Sequence, residues 1–351
     1  MSSQPDYLAP EPENNRALPD VAAIIPPRSL PVPPVAGDWH SDASALAESP
    51  AEPTSTAASL ESTPDRPSEP LFAWYNQPQV VPPPRIPNLG DAGIVSLMLG
   101  GGWIGSGALL AIALHFHLFG VFTIKQALSD VRYTLGSQAA WYVIAFGGCA
   151  LLFPALWQKG FWTGLQWNGI RALHLRWRLI AAAMACFVLA IVDGVLMPGP
   201  NNTPIDQIFR MPGAAWMLFG FGITLAPLFE EIAFRGFLLP ALCTAYDWIT
   251  ERFSGTLPRW PDENGHPRWS LRAMAVGSLL TSVPFALMHA EQTSYSLGPF
   301  LLLVCVSLVL CWVRLSTRSL AASVMVHSSY NFLLFSLMLA GTGGFRHLDK
   351  M

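Results

Sequence analysis

Beyond residue 91 the chain is a succession of long apolar runs separated by short polar breaks. A transmembrane helix takes about 20 mostly apolar residues to cross about 30 Å of hydrocarbon. Seven runs are of that kind: Ala92–Val121, Ala139–Trp157, Trp177–Met197, Gly213–Phe229, Leu271–His289, Leu297–Val313 and Leu320–Ala340. A further apolar stretch, Ile232–Ala245, follows the fourth run without a clear break. It predicts a prolonged fourth helix, a re-entrant segment or an eighth span. Inside lipid each backbone polar group must be satisfied within its own helix or a closed barrel. Period-two alternation, the mark of a barrel strand, is absent. The pattern therefore predicts an all-α membrane protein, a bundle of seven to eight transmembrane helices over residues 91–351.

Residues 1–90 follow a different pattern. They hold 19 of the 31 prolines, and 11 acidic residues against 4 arginines. Proline lacks a backbone donor and fixes φ, and few apolar residues remain to offset the entropy of ordering, so a disordered, acidic, Pro-rich tail is expected. One aromatic knot, Leu71-Phe72-Ala73-Trp74-Tyr75, is placed to lie at a membrane interface. A solvated linker is the simpler reading of the tail, and a partner-docking segment the alternative.

Charge sharpens this picture. Only 12% of residues are charged, where a soluble domain carries about 25%. No Lys/Arg stripe is available to neutralise a phosphate track, so a nucleic-acid partner is excluded. The five cysteines fall in apolar stretches without a CxxC pair, and are expected to act as small buried hydrophobes. No basic n-region opens the chain, so no cleaved signal peptide is expected. Lys159, Arg171, Arg176 and Arg178 mark the loop at 158–178 as cytoplasmic. The N-terminus would then be cytoplasmic too, in an integral protein of the cell membrane. The loop at 248–270, with Arg252, Arg259 and Arg268, points to the same side. Strict counting of spans, however, sets Glu230 and His289 near opposite faces.

Three islands of polar chemistry interrupt the apolar runs. A carboxylate at the centre of a membrane helix costs about 2.5–3.5 kcal/mol, so it needs a partner or a purpose. In Pro227-Leu228-Phe229-Glu230-Glu231-Ile232-Ala233-Phe234-Arg235, Glu231 and Arg235 are four apart, share a helix face and can pair. Glu230 lies about 100° round the helix and is left without that partner, a setting that suits a general base or acid. A purely structural Glu–Arg bridge accounts for Glu231 and not for Glu230. The second island ends an apolar run with Phe285-x-x-x-His289; the third sets His327 and Asn331 at i, i+4. Pro227 and Pro284 each free a backbone carbonyl one turn back and kink their helices, which opens room for a wet cavity.

Glu230-Glu231-x-x-x-Arg235, Phe285-x-x-x-His289 and His327-x-x-x-Asn331, in this order on successive membrane helices, resemble the CPBP family of CAAX prenyl endopeptidases and abortive-infection relatives. The resemblance covers roughly residues 210–340 and leaves residues 1–90 without a counterpart. It implies an eight-helix bundle around a cavity at membrane depth. By that resemblance Glu230 activates a water, His289 helps position it, and His327 and Asn331 stabilise the oxyanion. Glu231 and Arg235 hold the site by their ion pair. The function implied is an intramembrane endopeptidase acting on a peptide or protein substrate that reaches the bilayer. HExxH is absent, yet His289, His327 and Glu230 would supply three ligands for zinc with an open fourth position. The preferred reading needs no cofactor, because a carboxylate with oxyanion donors is already a complete hydrolytic set.

Other signals carry less. Gly100-Gly101-Gly102-Trp103-Ile104-Gly105-Ser106-Gly107 lacks the following Lys-Ser/Thr of a phosphate loop and lies in a span, so it predicts close helix packing. Asp193 is expected to be wet, and Trp103, Trp141, Trp157, Trp177 and Trp312 to form an aromatic belt. Two further functions compete: a non-proteolytic binding, immunity or scaffold protein of the same fold, and a proton-coupled transporter. The transporter would show paired internal repeats, which residues 92–200 and 210–340 lack.

Overall fold

The computed structural model describes residues 85–346, apart from 201, 202, 212 and 264. The expectations for the tail, including the aromatic knot, fall outside the described residues. Among those described the chain is all-α, and seven helices are long and apolar enough to cross a membrane. In chain order the long helices are α1 (Leu89–His115), α2 (Val131–Trp157), α3 (Arg176–Leu196), α4 (Ala214–Ile223), α5 (Leu225–Glu231), α6 (Leu239–Ser254), α7 (Leu271–Met288), α8 (Leu297–Thr317) and α9 (Leu320–Gly341). Helices α4, α5 and α6 run on as one composite span of 41 residues, joined between α5 and α6 by a π-helical turn, Ile232–Leu238.

The three readings of Ile232–Ala245 resolve to the first: it prolongs the fourth helix. A helix of that length extends about 60 Å, twice the hydrocarbon thickness. It is not straight. Pro227 cannot donate a hydrogen bond to the carbonyl of Ile223, and the helix breaks one turn back at Thr224 (φ −122°, ψ −80°). This also removes the conflict over faces. Phe229 does not end a span, so Glu230 sits mid-way along the composite helix, within reach of the end of α7.

Contacts between loops fix a common face. Arg314 and the backbone of Leu320 both bond to Gln166 in the loop after α2. Arg318 pairs with Asp262 in the loop after α6, and Arg85 pairs with Glu251 at 2.7 Å. The two basic loops and the start of α1 therefore share one end of the bundle. The loop after α6 is shorter than the 248–270 read from the sequence, because α6 runs on to Ser254, and Asp247 lies inside that helix. Its buried carboxylate accepts from the Ser270 backbone N–H (2.8 Å) and hydroxyl (2.6 Å) and from Arg259 (3.2 Å), stapling both ends of the loop.

Two apolar layers flank the composite span. Val95, Phe146, Phe153 and Phe237 pack between α1, α2 and the π turn; Leu179, Cys186, Leu310 and Val326 pack between α3, α8 and α9. Large apolar side chains such as Leu97, Leu151 and Val195 point outward, as lipid requires. Trp177 and Trp312 are exposed near helix ends and suit the aromatic belt. Three tryptophans do not. Trp103 lies mid-way along α1; Trp141 donates its Nε1–H to Leu99 O at 2.7 Å; Trp157 is buried against Phe153. Four cysteines are buried as expected and Cys305 is exposed.

The glycine run does pack helices, most closely at Gly102. A Cβ on Gly102 would lie 2.9 Å from both Ala145 Cβ and Trp141 O on α2, while one on Gly101 would meet nothing within 4 Å. Gly102→Leu should therefore lower stability by about 1–3 kcal/mol through overpacking, and Gly101→Leu should be close to neutral. Unfolding in detergent followed by circular dichroism distinguishes the two.

Candidate active site

The composite span delivers the first polar island at its most irregular point. The π turn follows directly on Glu231 and contains Arg235; such turns re-aim successive side chains and recur at functional sites. Glu231 and Arg235 are fully buried, and Glu231 Oε1 accepts from Arg235 at 2.9 Å. The same Oε1 lies 3.0 Å from His327 Nδ1, so one carboxylate oxygen joins the first island to the third. Arg235 also donates to the hydroxyl (2.6 Å) and carbonyl (3.2 Å) of Ser307 on α8. Behind it Arg314, 3% exposed, donates from Nε to the carbonyl of Arg235 and from its other nitrogens to Gln166 Oε1 and Leu165 O.

Glu230 faces the other way. Its Oε2 lies 3.8 Å from His327 Nε2 and 3.9 Å from His289 Nε2. His289, the residue that caps α7, holds its ring through Nδ1 against Phe285 O at 2.9 Å. Phe285 is the hub beneath these groups. The Arg235 guanidinium stands 4.5 Å from its ring centre, and its centroid is 5.0 Å from that of His289 and 5.9 Å from that of His327. Asn331 donates from Nδ2 to Gly222 O at 2.7 Å, which ties α9 to the last turn before the break at Thr224.

Glu230, His289, His327 and Asn331 line one cavity of about 360 Å³, together with Gln138 and Gln292. A second cavity of about 200 Å³, walled by α1, α2 and the π turn, is lined by Val95, Tyr142, Phe146, Phe229 and Phe237. Glu230 stands in the walls of both. The structure thus brings together every residue singled out in the three islands, with Glu231 and Arg235 beneath the cavity floor. Ser307, Arg314 and Gln166 were not anticipated. Arg314 carried a signal, an arginine directly after the apolar run that ends at Val313; Ser307 and Gln166 carried none, because either suits a helix or loop anywhere.

The donor set bears on a metal. Glu230 Oε2 and the two Nε2 atoms are the atoms zinc would use, but tetrahedral ligands at about 2.0–2.2 Å from the ion lie closer together than 3.8 or 3.9 Å. Among the described residues no group of three or more His, Cys, Asp or Glu side chains is gathered to hold an ion. The arrangement of these side chains does not fit zinc.

The two glutamates should separate in stability. Glu231→Ala leaves Arg235 uncompensated and fully buried and removes the acceptor for His327, a loss of about 3–5 kcal/mol. Glu230→Gln keeps shape and removes no ion pair to an arginine, so its unfolding temperature should stay near that of the parent. Parallel thermal unfolding of the two purified variants checks the contrast.

Residues 212–333 match the family model described as type II CAAX prenyl endopeptidase, Rce1-like. No curated protein and no solved structure gives a match. The matched stretch supplies Glu230, Glu231, Arg235, His289, His327 and Asn331, as well as Ser307 and Arg314. It agrees with the CPBP resemblance read from the three motifs: over that stretch the chain is similar to CAAX-type intramembrane endopeptidases, and its seven apolar helices make it an integral membrane protein.

Proposed function

We propose that this protein is an intramembrane endopeptidase that hydrolyses peptide bonds with a water activated by Glu230 and held between Glu230 and the two imidazoles. The observation that carries the proposal is the approach of one carboxylate oxygen to two ring nitrogens, 3.8 and 3.9 Å away. Those gaps exceed a direct hydrogen bond and suit a bridging water. Nδ1 of His289 faces a carbonyl and Nδ1 of His327 a carboxylate. In each neutral ring Nδ1 therefore carries the proton, and Nε2 turns a lone pair toward Glu230. The water donates one proton to Glu230 as it attacks the scissile carbonyl, and its other proton stays hydrogen-bonded to Nε2. The proton on Glu230 then passes to the leaving amine.

The oxyanion assignments acquire conditions. Asn331 uses one Nδ2 proton on Gly222 O and keeps the second for the tetrahedral oxygen. His327 donates from Nε2 only as an imidazolium, and Glu231 at its Nδ1 balances that charge. Glu231 thus orients His327 and also anchors Arg235. The substrate is a peptide or protein segment entering from the bilayer. An apolar group beside its scissile bond fits the second cavity, which shares Glu230 with the first. The basic loops gathered at one end favour a cytoplasmic placement for that end and for the N-terminus, in a cell membrane. A non-proteolytic binding or scaffold role would leave Glu230 without a task.

Cleavage of a peptide library by the purified protein in detergent, with and without chelator, tests the reading. Glu230→Gln should lower the rate by about 10²–10⁴-fold; a rate within tenfold of the parent removes Glu230 from the role of base. Activity that survives chelator supports the water-and-carboxylate scheme, and activity lost to chelator and restored by zinc replaces it. A chain starting at Val81, ahead of Arg85 so that its ion pair with Glu251 is kept, should cleave at the parental rate, because the polar groups of the site and the walls of both cavities all lie beyond residue 90.

A further inference from the structure

A third cavity, also of about 360 Å³, opens at the end of the bundle where the basic loops meet. Its walls include Gln166, Arg268, Trp269, Met274, Arg314 and Arg318, and no acidic residue lines it. Arg314 is almost wholly buried, and its hydrogen-bond partners are two carbonyls and an amide oxygen, not a carboxylate. The acid nearest in the network, Glu231, already serves Arg235 and His327. Arg314 is thus a buried guanidinium with no carboxylate in hydrogen-bond contact. Arg268 has no hydrogen-bonding or acidic partner among the described residues, and Arg318 shares Asp262 with His266. A buried charge without a counter-ion is costly, and a charge-complementary occupant offsets that cost.

Position narrows the chemistry. Arg314 sits in the last turn of α8, and Arg268 and Trp269 immediately precede the N-cap of α7. That level corresponds to the ends of membrane spans, where tryptophan anchors and lipid phosphates lie. The guanidinium fork matches phosphate oxygens two at a time, and Met274 and Trp269 offer apolar surface beside it. We infer that this arginine-lined cavity binds a phosphate group, supplied by the headgroup of an anionic phospholipid in the surrounding bilayer. Through the Nε bond of Arg314 to the Arg235 carbonyl, the occupant braces the layer beneath the proposed active site. The inference does not rest on the proteolytic reading, and its test has no activity readout.

The full chain, purified and delipidated, is titrated with phosphatidylglycerol, phosphatidylcholine or inorganic phosphate while bound lipid and unfolding temperature are followed. Phosphatidylglycerol should bind and raise the unfolding temperature above that in phosphatidylcholine. Arg268→Gln, which removes an unpaired exposed side chain, should weaken that binding by roughly tenfold or more. Arg252→Gln, at an exposed position that does not line the cavity, should leave it unchanged. Equal binding of the two lipids, or phosphatidylglycerol binding that survives Arg268→Gln, overturns the inference. An Arg268-dependent shift with inorganic phosphate alone keeps the phosphate site and overturns the lipid as its source.

Discussion

The Glu231 carboxylate is the group on which the rest of the site depends. It is fully buried, and its Oε1 takes both the Arg235 guanidinium and His327 Nδ1. A charge taken out of water must be balanced where it sits, so this oxygen fixes two elements against each other: the π turn that carries Arg235 and the early part of α9 that carries His327. Arg235 then extends the network to Ser307 on α8, and Arg314 closes it onto the loop after α2 through Gln166 and Leu165. Removing one partner would strand the others, which is the usual signature of a buried ionic network.

The adjacent glutamate is freed by this arrangement. Consecutive helical residues point about 100° apart, so a Glu231 committed to the floor turns Glu230 toward the cavity. The break at Thr224 and the π turn after Glu231 bracket that pair on either side. Both irregularities have local causes, a proline without a donor and a helix accommodating an extra residue in its turn. Together they place a carboxylate between a polar cavity and an apolar one. In the proposed reaction water enters on one side and apolar substrate on the other, and Glu230 occupies the boundary between the two cavities.

Much of this was legible in the chain itself. The apolar run lengths determined the all-α membrane class, because lipid leaves backbone groups no partner outside a helix or closed barrel. The i, i+4 spacing of Glu231 and Arg235 determined their pairing, and the i, i+4 spacing of Phe285 and His289 their ring contact; both are properties of a helix alone. The glycine run announced a close helix contact, though only the coordinates show that Gly102 makes it and Gly101 does not. The aromatic belt was over-read, since a tryptophan in an apolar run looks the same whether it faces lipid or a neighbouring helix.

What the tertiary structure decided were the relations between helices. His327 lies 96 residues from Glu231 in the chain, yet shares its carboxylate oxygen. No periodicity encodes that distance, because it depends on the crossing of α9 over the composite span. The continuity of α4 through α6 was likewise undecidable from hydropathy, since a prolonged helix, a re-entrant turn and a new span bury the same apolar residues. The convergence of Arg268, Arg314 and Arg318 follows the same rule: each is an ordinary arginine at the end of its own segment, and only the meeting of those ends makes an arginine-lined cavity. Local spacing is written in the sequence because helix geometry is fixed; long-range pairing is not, because it is settled by which faces pack together.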